Sequence, residues 1–333
     1  SLIDGVYDYA VTDRYIYVLP VKEPRIVLFD RQGRFIRTLV KEGQGPGEFR
    51  GILPCIQVDE RNDRLFLFSN NRVWEYTLEG EFIGQSTHEY SVIYMRHIGK
   101  DRFAAISFPF QPFNGGGFGL GLFSRKGDTI AIKNDFYSFL LPHEKSGFTT
   151  SIAPAYSDAQ NSVLFKTGSN DTVFCISADR ISAACVLDLK NSDAEVIRSL
   201  DVTDMSNLRI EKKDPKDIFV QDMIEFPGHY YFRLLYNQGY YVDKKTGKTL
   251  VEKCVMPGSI YELADANLQH GMQGTRSYRN FPVWGRVIKD ELVQVVTPYE
   301  LNLYKSLRSI TIPQELDLKG EEGNPVFVFY SLI

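Results

Sequence analysis

The apolar positions of this chain fall in short runs, separated by turns rich in Gly, Asp and Asn. Tyr7–Val11 and Tyr15–Leu19 flank the dipeptide Asp13-Arg14, and similar pairs of runs flank Asp63-Arg64 and Asp101-Arg102. The runs are rich in aromatic and β-branched residues, and helical spacing is absent from this first part of the chain. They predict strands that tight turns join in pairs.

A second kind of turn recurs at a fixed spacing, since Gly33, Gly80 and Gly127 lie 47 residues apart. The segments around them align with one another: Arg25–Ile36, Arg72–Ile83 and Leu122–Ile130. Each glycine follows one apolar run and precedes the next, which predicts a hairpin turn in which Gly adopts a positive φ. Together with the first pair of strands, each repeat predicts a four-stranded antiparallel meander.

The pattern continues to the end of the chain and predicts six such units, with ranges 6–40, 54–88, 93–135, 154–189, 218–255 and 282–332. Three insertions interrupt it at 190–217, 256–281 and 299–323. Within them, Ser192–Asn207 has the spacing of a surface helix, and Tyr299–Leu307 predicts a short helix. Units of this length predict an all-β, six-bladed β-propeller of four-stranded antiparallel blades. A sandwich, a solenoid and an α/β fold fit the period less well.

The sixth unit has three predicted strands, so the last blade is incomplete in this chain. Propellers usually close by pairing strands from the two ends of the chain. We therefore expect the closing strand to lie upstream of Ser1. The chain begins without Met, and we also expect its N-terminus to be processed or trimmed.

Composition narrows the classes of function. The 333 residues carry a formal charge of −4, with a pI near 5.8, and contain no long Lys/Arg run, which disfavours nucleic acid as a partner. No apolar stretch has the length of a membrane-spanning helix. The four cysteines are Cys55, Cys175, Cys185 and Cys254. They contain no CxxC pair, so we expect buried free thiols rather than a zinc site or disulfides.

Two neighbouring segments resemble those of a known group of proteins. Phe29–Ile36, followed by the glycine-rich Gly43–Phe49, resembles the NHL-repeat propellers and, more closely, six-bladed propeller proteins of Bacteroides-type bacteria. Asn324–Tyr330 is similar to the usual ending of that group. The resemblance implies export to the periplasm or cell surface, with a lipid anchor in the full-length precursor. It implies no catalytic residues, because the shared motifs belong to the fold.

The glycine-rich segment Gly43–Phe49 also invites comparison with phosphate-binding loops. It lacks the Gly-Lys-Ser/Thr ending, and no helix follows it. We interpret it as a turn between blades that Phe49 anchors, which places Arg50 at the rim of the axial channel. Phe113–Phe118 is interpreted as a flexible link between strands.

Candidate ligand-binding residues come from strands that face the axis and from aromatic runs. Arg96 and His97 lie on the first strand of the third unit, which lines the axial channel in propellers. Arg233 lies within the aromatic run Tyr230–Tyr236. The full set is Arg50, Arg96, His97, Arg233, Tyr236, Arg276, Arg279 and Trp284. An Arg/aromatic rim of this kind suits sugars or peptides.

Catalytic signatures are weaker. The five His residues are scattered, and no Ser lies in a nucleophile elbow. Propeller lactonases hold a channel metal with acidic and amide side chains, and Asp8, Asp59 and Asp222 lie on or beside first strands. Ordinary solvation at strand ends is the preferred reading of these three residues.

The leading hypothesis is therefore an exported propeller that binds a small molecule, a glycan or a protein at its top face or axial channel, without a cofactor and without catalysis. A metal-dependent enzyme of the lactonase or lyase type is one alternative. A structural scaffold in a cell-surface assembly, marked by an exposed apolar patch, is the other. Membrane attachment would come only through the lipid anchor.

Overall fold

The computed structural model describes residues 3, 5–51, 55–69, 71–89, 92, 94–106, 119–133, 155–159, 161–166, 171–189, 220–234, 239–252, 286–288, 291–296 and 325–331. Within these ranges the chain forms strands and turns and no helix. The strands build six antiparallel sheets, five with four strands and one with three. The all-β prediction is confirmed for this part of the chain.

The first three sheets contain the strands of the 47-residue repeat. Sheet 1 has β1 (Val6–Val11), β2 (Tyr15–Pro20), β3 (Arg25–Asp30) and β4 (Phe35–Lys41). Sheet 2 has β5 (Cys55–Asp59), β6 (Arg64–Ser69), β7 (Arg72–Tyr76) and β8 (Phe82–Thr87). Sheet 3 has β9 (Tyr94–His97), β10 (Arg102–Ile106), β11 (Leu120–Ser124) and β12 (Thr129–Lys133).

The remaining sheets follow the same order. Sheet 4 has β13 (Ala155–Ala159), β14 (Ser162–Lys166), β15 (Thr172–Ser177) and β16 (Ile181–Val186). Sheet 5 has β17 (Val220–Glu225), β18 (His229–Leu234), β19 (Gly239–Asp243) and β20 (Thr249–Glu252). Sheet 6 has β21 (Arg286–Ile288), β22 (Glu291–Val296) and β23 (Val326–Ser331). In every sheet, strands that follow one another in the chain pair side by side, as a meander.

Neighbouring sheets share apolar cores. One core joins sheets 1 and 2 through residues such as Tyr17 and Trp74. A second core runs through sheets 2, 3 and 4 and includes Phe68 and Phe103. A third core joins sheet 6 to sheet 1, and a fourth joins sheets 4 and 5. Sheets packed face to face in this way form a propeller-like array, because each sheet buries its apolar faces against its neighbours.

The turn between the third and fourth strands of a sheet is called the outer turn here; in the first three sheets it comprises residues 30–34, 77–81 and 124–128. Gly33, Gly80 and Gly127 have φ values of 78°, 89° and 99°, as their spacing predicted. A Cβ on Gly80 would lie 3.3 Å from the backbone oxygen of Leu39 in sheet 1. A Cβ on Gly127 would lie 2.4 Å from the backbone oxygen of Thr87 in sheet 2. The glycines thus serve the turn and also the packing of one sheet on the sheet before it.

Three cysteines lie in the described part of the chain, and all are free thiols, as expected. Cys55 is buried, whereas Cys175 and Cys185 are half-buried. Burial raises the pKa of both half-buried thiols. Cys254, the segment Phe113–Phe118 and the three predicted insertions lie outside the described residues. Among the residues that are described, no helix is long and apolar enough to cross a membrane.

The outer-turn glycines should differ in their tolerance of a side chain. Gly33→Ala adds only the cost of a positive φ, about 1 kcal/mol, because no atom lies within 4 Å of its Cβ position. Gly127→Ala adds the same cost and a clash with the Thr87 carbonyl. We expect the urea midpoint to fall more for Gly127→Ala than for Gly33→Ala. Equal losses for the two variants would contradict this account of the packing.

His88, directly after β8, should make the protein sensitive to acid. Its ring is buried between Phe103 and Phe123, and both ring nitrogens lack a partner among the described residues. Burial lowers the pKa of His88 from 6.5 to about 4. The unfolded chain therefore binds the proton more tightly, so stability is lost as the pH falls from 6.5 toward 4.

The loss between pH 7.5 and 5.0 should be about 2 kcal/mol from this residue. Urea unfolding at the two pH values measures it, and His88→Phe should reduce the difference by that amount. An unchanged difference in the variant would show that His88 is not the acid-sensitive group.

Candidate functional site

Several side chains that the sequence placed at the axis link the first strands of neighbouring sheets. Arg96 is buried, and its Nη1 donates a hydrogen bond to the Ile56 carbonyl at 2.9 Å. The Ile56 amide donates to Oδ2 of Asp8 at 2.6 Å. The His97 amide donates to Oε1 of Gln57 at 2.6 Å, and Nε2 of Gln57 donates to the His97 carbonyl at 2.7 Å. Polar side chains thus join β1 to β5 and β5 to β9.

The His97 ring lies beside Asp59, for which the sequence favoured ordinary solvation at a strand end over a role as a metal ligand. Its Nδ1 is 3.5 Å from Oδ2 of Asp59, and the ring stacks on Phe66 at 4.9 Å between centroids. Burial lowers the pKa of His97, although Asp59 opposes this effect. The same Asp59 oxygen accepts a hydrogen bond from Nδ2 of Asn62 at 2.7 Å. Burial of the ring therefore favours its neutral form.

Most of the other predicted site residues fall outside the described part of the chain. No group of three or more His, Cys, Asp or Glu in the described part of the chain is placed to hold a metal ion. The backbones of Asp222 and Arg233 pair between β17 and β18, but their side chains are outside the description. Four further predicted residues also lie outside the described ranges: Tyr236, Arg276, Arg279 and Trp284.

The glycine-rich segment after β4 is a turn between sheets 1 and 2, as predicted. Phe49 is fully buried and packs on Trp74. Oε2 of Glu48 accepts a hydrogen bond from the Gly45 amide at 2.8 Å, and this bond lowers the pKa of Glu48. The loop thus turns an amide toward its own carboxylate rather than toward a phosphate. Arg50 is exposed and donates from Nε to the Gly43 carbonyl at 3.3 Å.

A cleft of about 920 Å³ lies between sheets 2 and 3, at a place that the sequence reading missed. One wall consists of β8 and part of β7. The opposite wall consists of β10 and the outer turn of sheet 3. The lining residues are Val73, Glu75, Ile83, Gly84, Gln85, Ser86, Thr87, Asp101, Arg102, Phe103, Ser124, Arg125, Lys126 and Asp128. A cleft of this size is within the usual range for ligand sites.

A charged network forms the floor of the cleft around Glu75, which is 7% exposed. Nε of Arg125 donates to Oε2 of Glu75 at 3.0 Å, and Nη2 of Arg125 contacts both carboxylate oxygens. Nε of Arg64 lies 2.6 Å from Oε1 of Glu75. Pairing with Glu75 raises the pKa of Arg125 further. The carboxylate is therefore saturated by two guanidinium groups from different sheets.

A smaller cavity of about 340 Å³ shares Asp101 and Arg125 with the cleft. It extends toward the first strands and is lined there by Asp59 and His97. Nη1 of Arg125 lies 3.5 Å from Oδ1 of Asp101, so this ion pair stands between the two spaces. The polar surface thus runs from the innermost strands of sheets 2 and 3 out to β8.

The 47-residue repeat explains why the floor of the cleft is charged. Glu75 and Arg125 occupy the repeat positions of Leu28 and Leu78. Those two leucines belong to the apolar cluster between sheets 1 and 2, and Tyr17 donates its hydroxyl to the Leu78 carbonyl at 3.2 Å. An apolar contact between sheets 1 and 2 is thus replaced by an ion pair between sheets 2 and 3.

The same comparison explains why the cleft is open. Gly84 occupies the repeat position of Arg37, and Lys126 that of Glu79. Arg37 forms an ion pair with Glu79 and donates to its carbonyl at 2.8 Å, so this half-exposed side chain reaches across the outer part of the space between sheets 1 and 2. A Cβ on Gly84 would meet no atom within 4 Å. The space that Arg37 fills in one interface is vacant in the next.

These substitutions were readable in the aligned repeats, because Leu28 aligns with Glu75 and Arg37 with Gly84. The positions at which the aligned repeats differ are the ones that indicate the cleft.

Comparison with known proteins gives a family. The sequence family described as Domain of unknown function (DUF4934) matches residues 1–331. The chain belongs to the DUF4934 family. No curated protein matches this DUF4934 chain.

A solved structure shares its fold. A protein of Bacteroides fragilis that is predicted to be exported is 15% identical, with a TM-score of 0.68. That match covers 99% of the DUF4934 chain and 90% of the other chain. Virginiamycin B lyase from Staphylococcus aureus is 11% identical, with a TM-score of 0.43, over 75% of this chain and 70% of its own.

The Glu75–Arg125 pair should behave as a unit. Glu75→Leu leaves two guanidinium groups without their carboxylate, and Arg125→Leu leaves Glu75 with Arg64 alone. Each single variant should lower the free energy of unfolding, by up to about 2 kcal/mol. The double variant places leucine at both positions, as in the cluster of Leu28 and Leu78, while Arg64 keeps its hydrogen bonds to the Asn62 and Asp63 carbonyls. It should stay within about 1 kcal/mol of the parent. Urea unfolding of the four proteins forms the cycle. A double variant as unstable as the sum of the single ones would contradict the equivalence of the two interfaces.

Proposed function

We propose that this chain is a closed, six-bladed β-propeller of an exported protein, which binds a ligand in the cleft between sheets 2 and 3. The observation that carries the proposal is the vacancy at Gly84, where the repeat places a side chain in the neighbouring interface. A vacant repeat position above a fixed charged network is typical of a binding site, because the network is organised before a ligand arrives.

Closure is supported by the contacts of sheet 6 with sheet 1. Arg31, Leu78 and Arg125 occupy the same repeat position. Leu78 contacts sheet 1, Arg125 contacts sheet 2, and Nη2 of Arg31 lies 2.8 Å from Oε2 of Glu291 in sheet 6. The Arg31 guanidinium also lies 3.9 Å from the centroid of the Phe329 ring. The outer turn of sheet 1 therefore contacts sheet 6 in the same way that the outer turn of sheet 3 contacts sheet 2.

A second contact supports the same neighbour relation. The Tyr9 hydroxyl donates to the Val293 carbonyl at 2.8 Å, and its ring packs edge-on against Phe327. With the shared cores between sheets 1 and 2, through sheets 2 to 4, and between sheets 4 and 5, these contacts favour six blades around one axis.

Export is supported by the likeness to the Bacteroides fragilis protein and by the resemblance of Phe29–Phe49 to propellers of Bacteroides-type bacteria. We propose a location in the periplasm or at the cell surface, with a lipid anchor in the precursor. Free, half-buried thiols are compatible with this location because burial keeps them protonated.

The rim of Arg276, Arg279 and Trp284 stays a prediction beside the cleft. The two proposed sites differ in place, because the cleft lies near the outer turns and not at the channel rim where Arg50 was expected. A ligand that binds at the rim does not need the cleft. A variant that fills the cleft should therefore weaken the binding of a cleft ligand and leave the binding of a rim ligand unchanged.

Gly84→Glu is that variant. The new carboxylate can pair with Lys126 and would fill the cleft with the charges of the Arg37–Glu79 contact reversed. Gly228→Glu is the matched control, because Gly228 is also open and lies in sheet 5, at the β17–β18 turn. Stability should change little in either variant.

Both variants and the parent are screened by calorimetry against a defined set of short peptides and a panel of oligosaccharides. We expect ligands of the parent to bind Gly228→Glu equally and Gly84→Glu at least tenfold more weakly. A ligand that binds all three proteins equally would rule out the cleft as the site.

A further inference from the structure

We propose that the ligand of the cleft is an extended acidic peptide, which pairs with the free edge of β8 and places a carboxylate against Lys126. This inference rests on the proposed function and names the class of ligand for the same site.

The edge of β8 borders the cleft. Five consecutive residues of this strand, 83–87, line the cleft. Because side chains alternate between the two faces of a strand, consecutive residues line a cavity through their backbone as well as their side chains, so the backbone of β8 borders the cleft. β8 is the last strand of sheet 2, and within the described ranges only β7 pairs with it. Apart from the Thr87 carbonyl, which Gly127 approaches, its outer amides and carbonyls are thus available to another strand within the described ranges.

An extended peptide is the ligand that such an edge recognises, since it adds a strand and satisfies the main-chain groups in register. Gly84 lies in the middle of the edge and carries no side chain that would block approach. The length of β8, Phe82–Thr87, matches a partner segment of about five or six residues, or roughly 17–20 Å.

The charge of the ligand follows from the repeat. In the interface between sheets 1 and 2, Arg37 pairs with Glu79. The same repeat positions between sheets 2 and 3 hold Gly84 and Lys126. Gly84 has no side chain, so only Lys126 carries a charge there, and that charge is positive where that of Glu79 is negative. Lys126 is exposed and has no ion-pair partner among the described residues. A carboxylate from the ligand would occupy the space over Gly84 and complete the pair.

The other charges of the cleft favour the same sign. Glu75 is saturated by Arg64 and Arg125, and Oδ2 of Asp128 accepts a hydrogen bond from the Ser124 hydroxyl at 2.8 Å. Asp101 lies 3.5 Å from Nη1 of Arg125, whereas Asp128 keeps its negative charge. Among the described residues, Arg102 donates to the adjacent Asp101 carbonyl at 3.4 Å, which leaves most of its guanidinium available. Arg102 and Lys126 are therefore the groups of the cleft that a ligand carboxylate can reach.

Aromatic surfaces of the kind that stack on sugars are covered. Phe103 lines the cleft but is 0% exposed. Phe66, in the smaller cavity, is stacked against His97. With no open ring face among the described lining residues, the cleft favours a peptide over a glycan.

The test uses capped six-residue peptides of strand-forming sequence that differ only at one central position, Glu or Lys, and a third peptide with alternate amides N-methylated. Calorimetry with the whole chain should show binding of the Glu peptide, at least tenfold weaker binding of the Lys peptide, and at least tenfold weaker binding of the N-methylated form.

Lys126→Glu should reverse the preference between the Glu and Lys peptides, whereas Lys248→Glu, on an exposed outer turn in sheet 5, should leave it unchanged. Circular dichroism and the urea midpoint check that each variant is folded. Equal binding of the Glu and Lys peptides, no peptide binding, or full binding of the N-methylated form would each overturn the inference.

Failure of the inference and failure of the proposed function give different results. An oligosaccharide that binds the parent and is lost in Gly84→Glu would overturn the peptide while keeping the cleft as the site. Peptide binding that Gly84→Glu leaves intact would overturn both.

Discussion

The contact on which this structure depends is made by the outer turn, which packs back on the preceding sheet. Gly127 can approach the Thr87 carbonyl only because it lacks a Cβ, and Gly80 approaches Leu39 in the same way. The residue two places before each of these glycines then reaches the previous sheet, as Leu78 and Arg125 do. Each sheet buries its apolar faces on its neighbours, and the outer turn sets the register of that packing.

The proposed binding function rests on the positions at which the interface between sheets 2 and 3 differs from that between sheets 1 and 2. The contact between sheets 1 and 2 is apolar at Leu28 and Leu78 and is filled by Arg37. Between sheets 2 and 3 the same positions hold a buried ion pair and a glycine. An ion pair adds little stability over a well-packed apolar contact, and the proposed function assigns this pair to recognition.

The strands and the positive φ of Gly33, Gly80 and Gly127 could be predicted because they depend on local pattern and turn geometry. The left-handed Asp63 and Asp101 were not predicted, although Asp tolerates this region. The hydrogen bonds of Arg96 and His97 could not be predicted because their partners, Ile56 and Gln57, lie in a different sheet. Contacts between sheets depend on how the sheets pack in three dimensions, and the pattern of strands along the sequence does not predict that packing.

The central claim is that the ligand lies between sheets 2 and 3, at the repeat position where Gly84 has no side chain. Hydrogen exchange at the amides of β8 tests this claim most directly. The account predicts that alternate amides between Ile83 and Thr87 exchange quickly in the free protein. They should become protected when the Glu peptide binds, while the amides of β4 stay unchanged. Protection that appears on other sheets and leaves β8 as it was would contradict it.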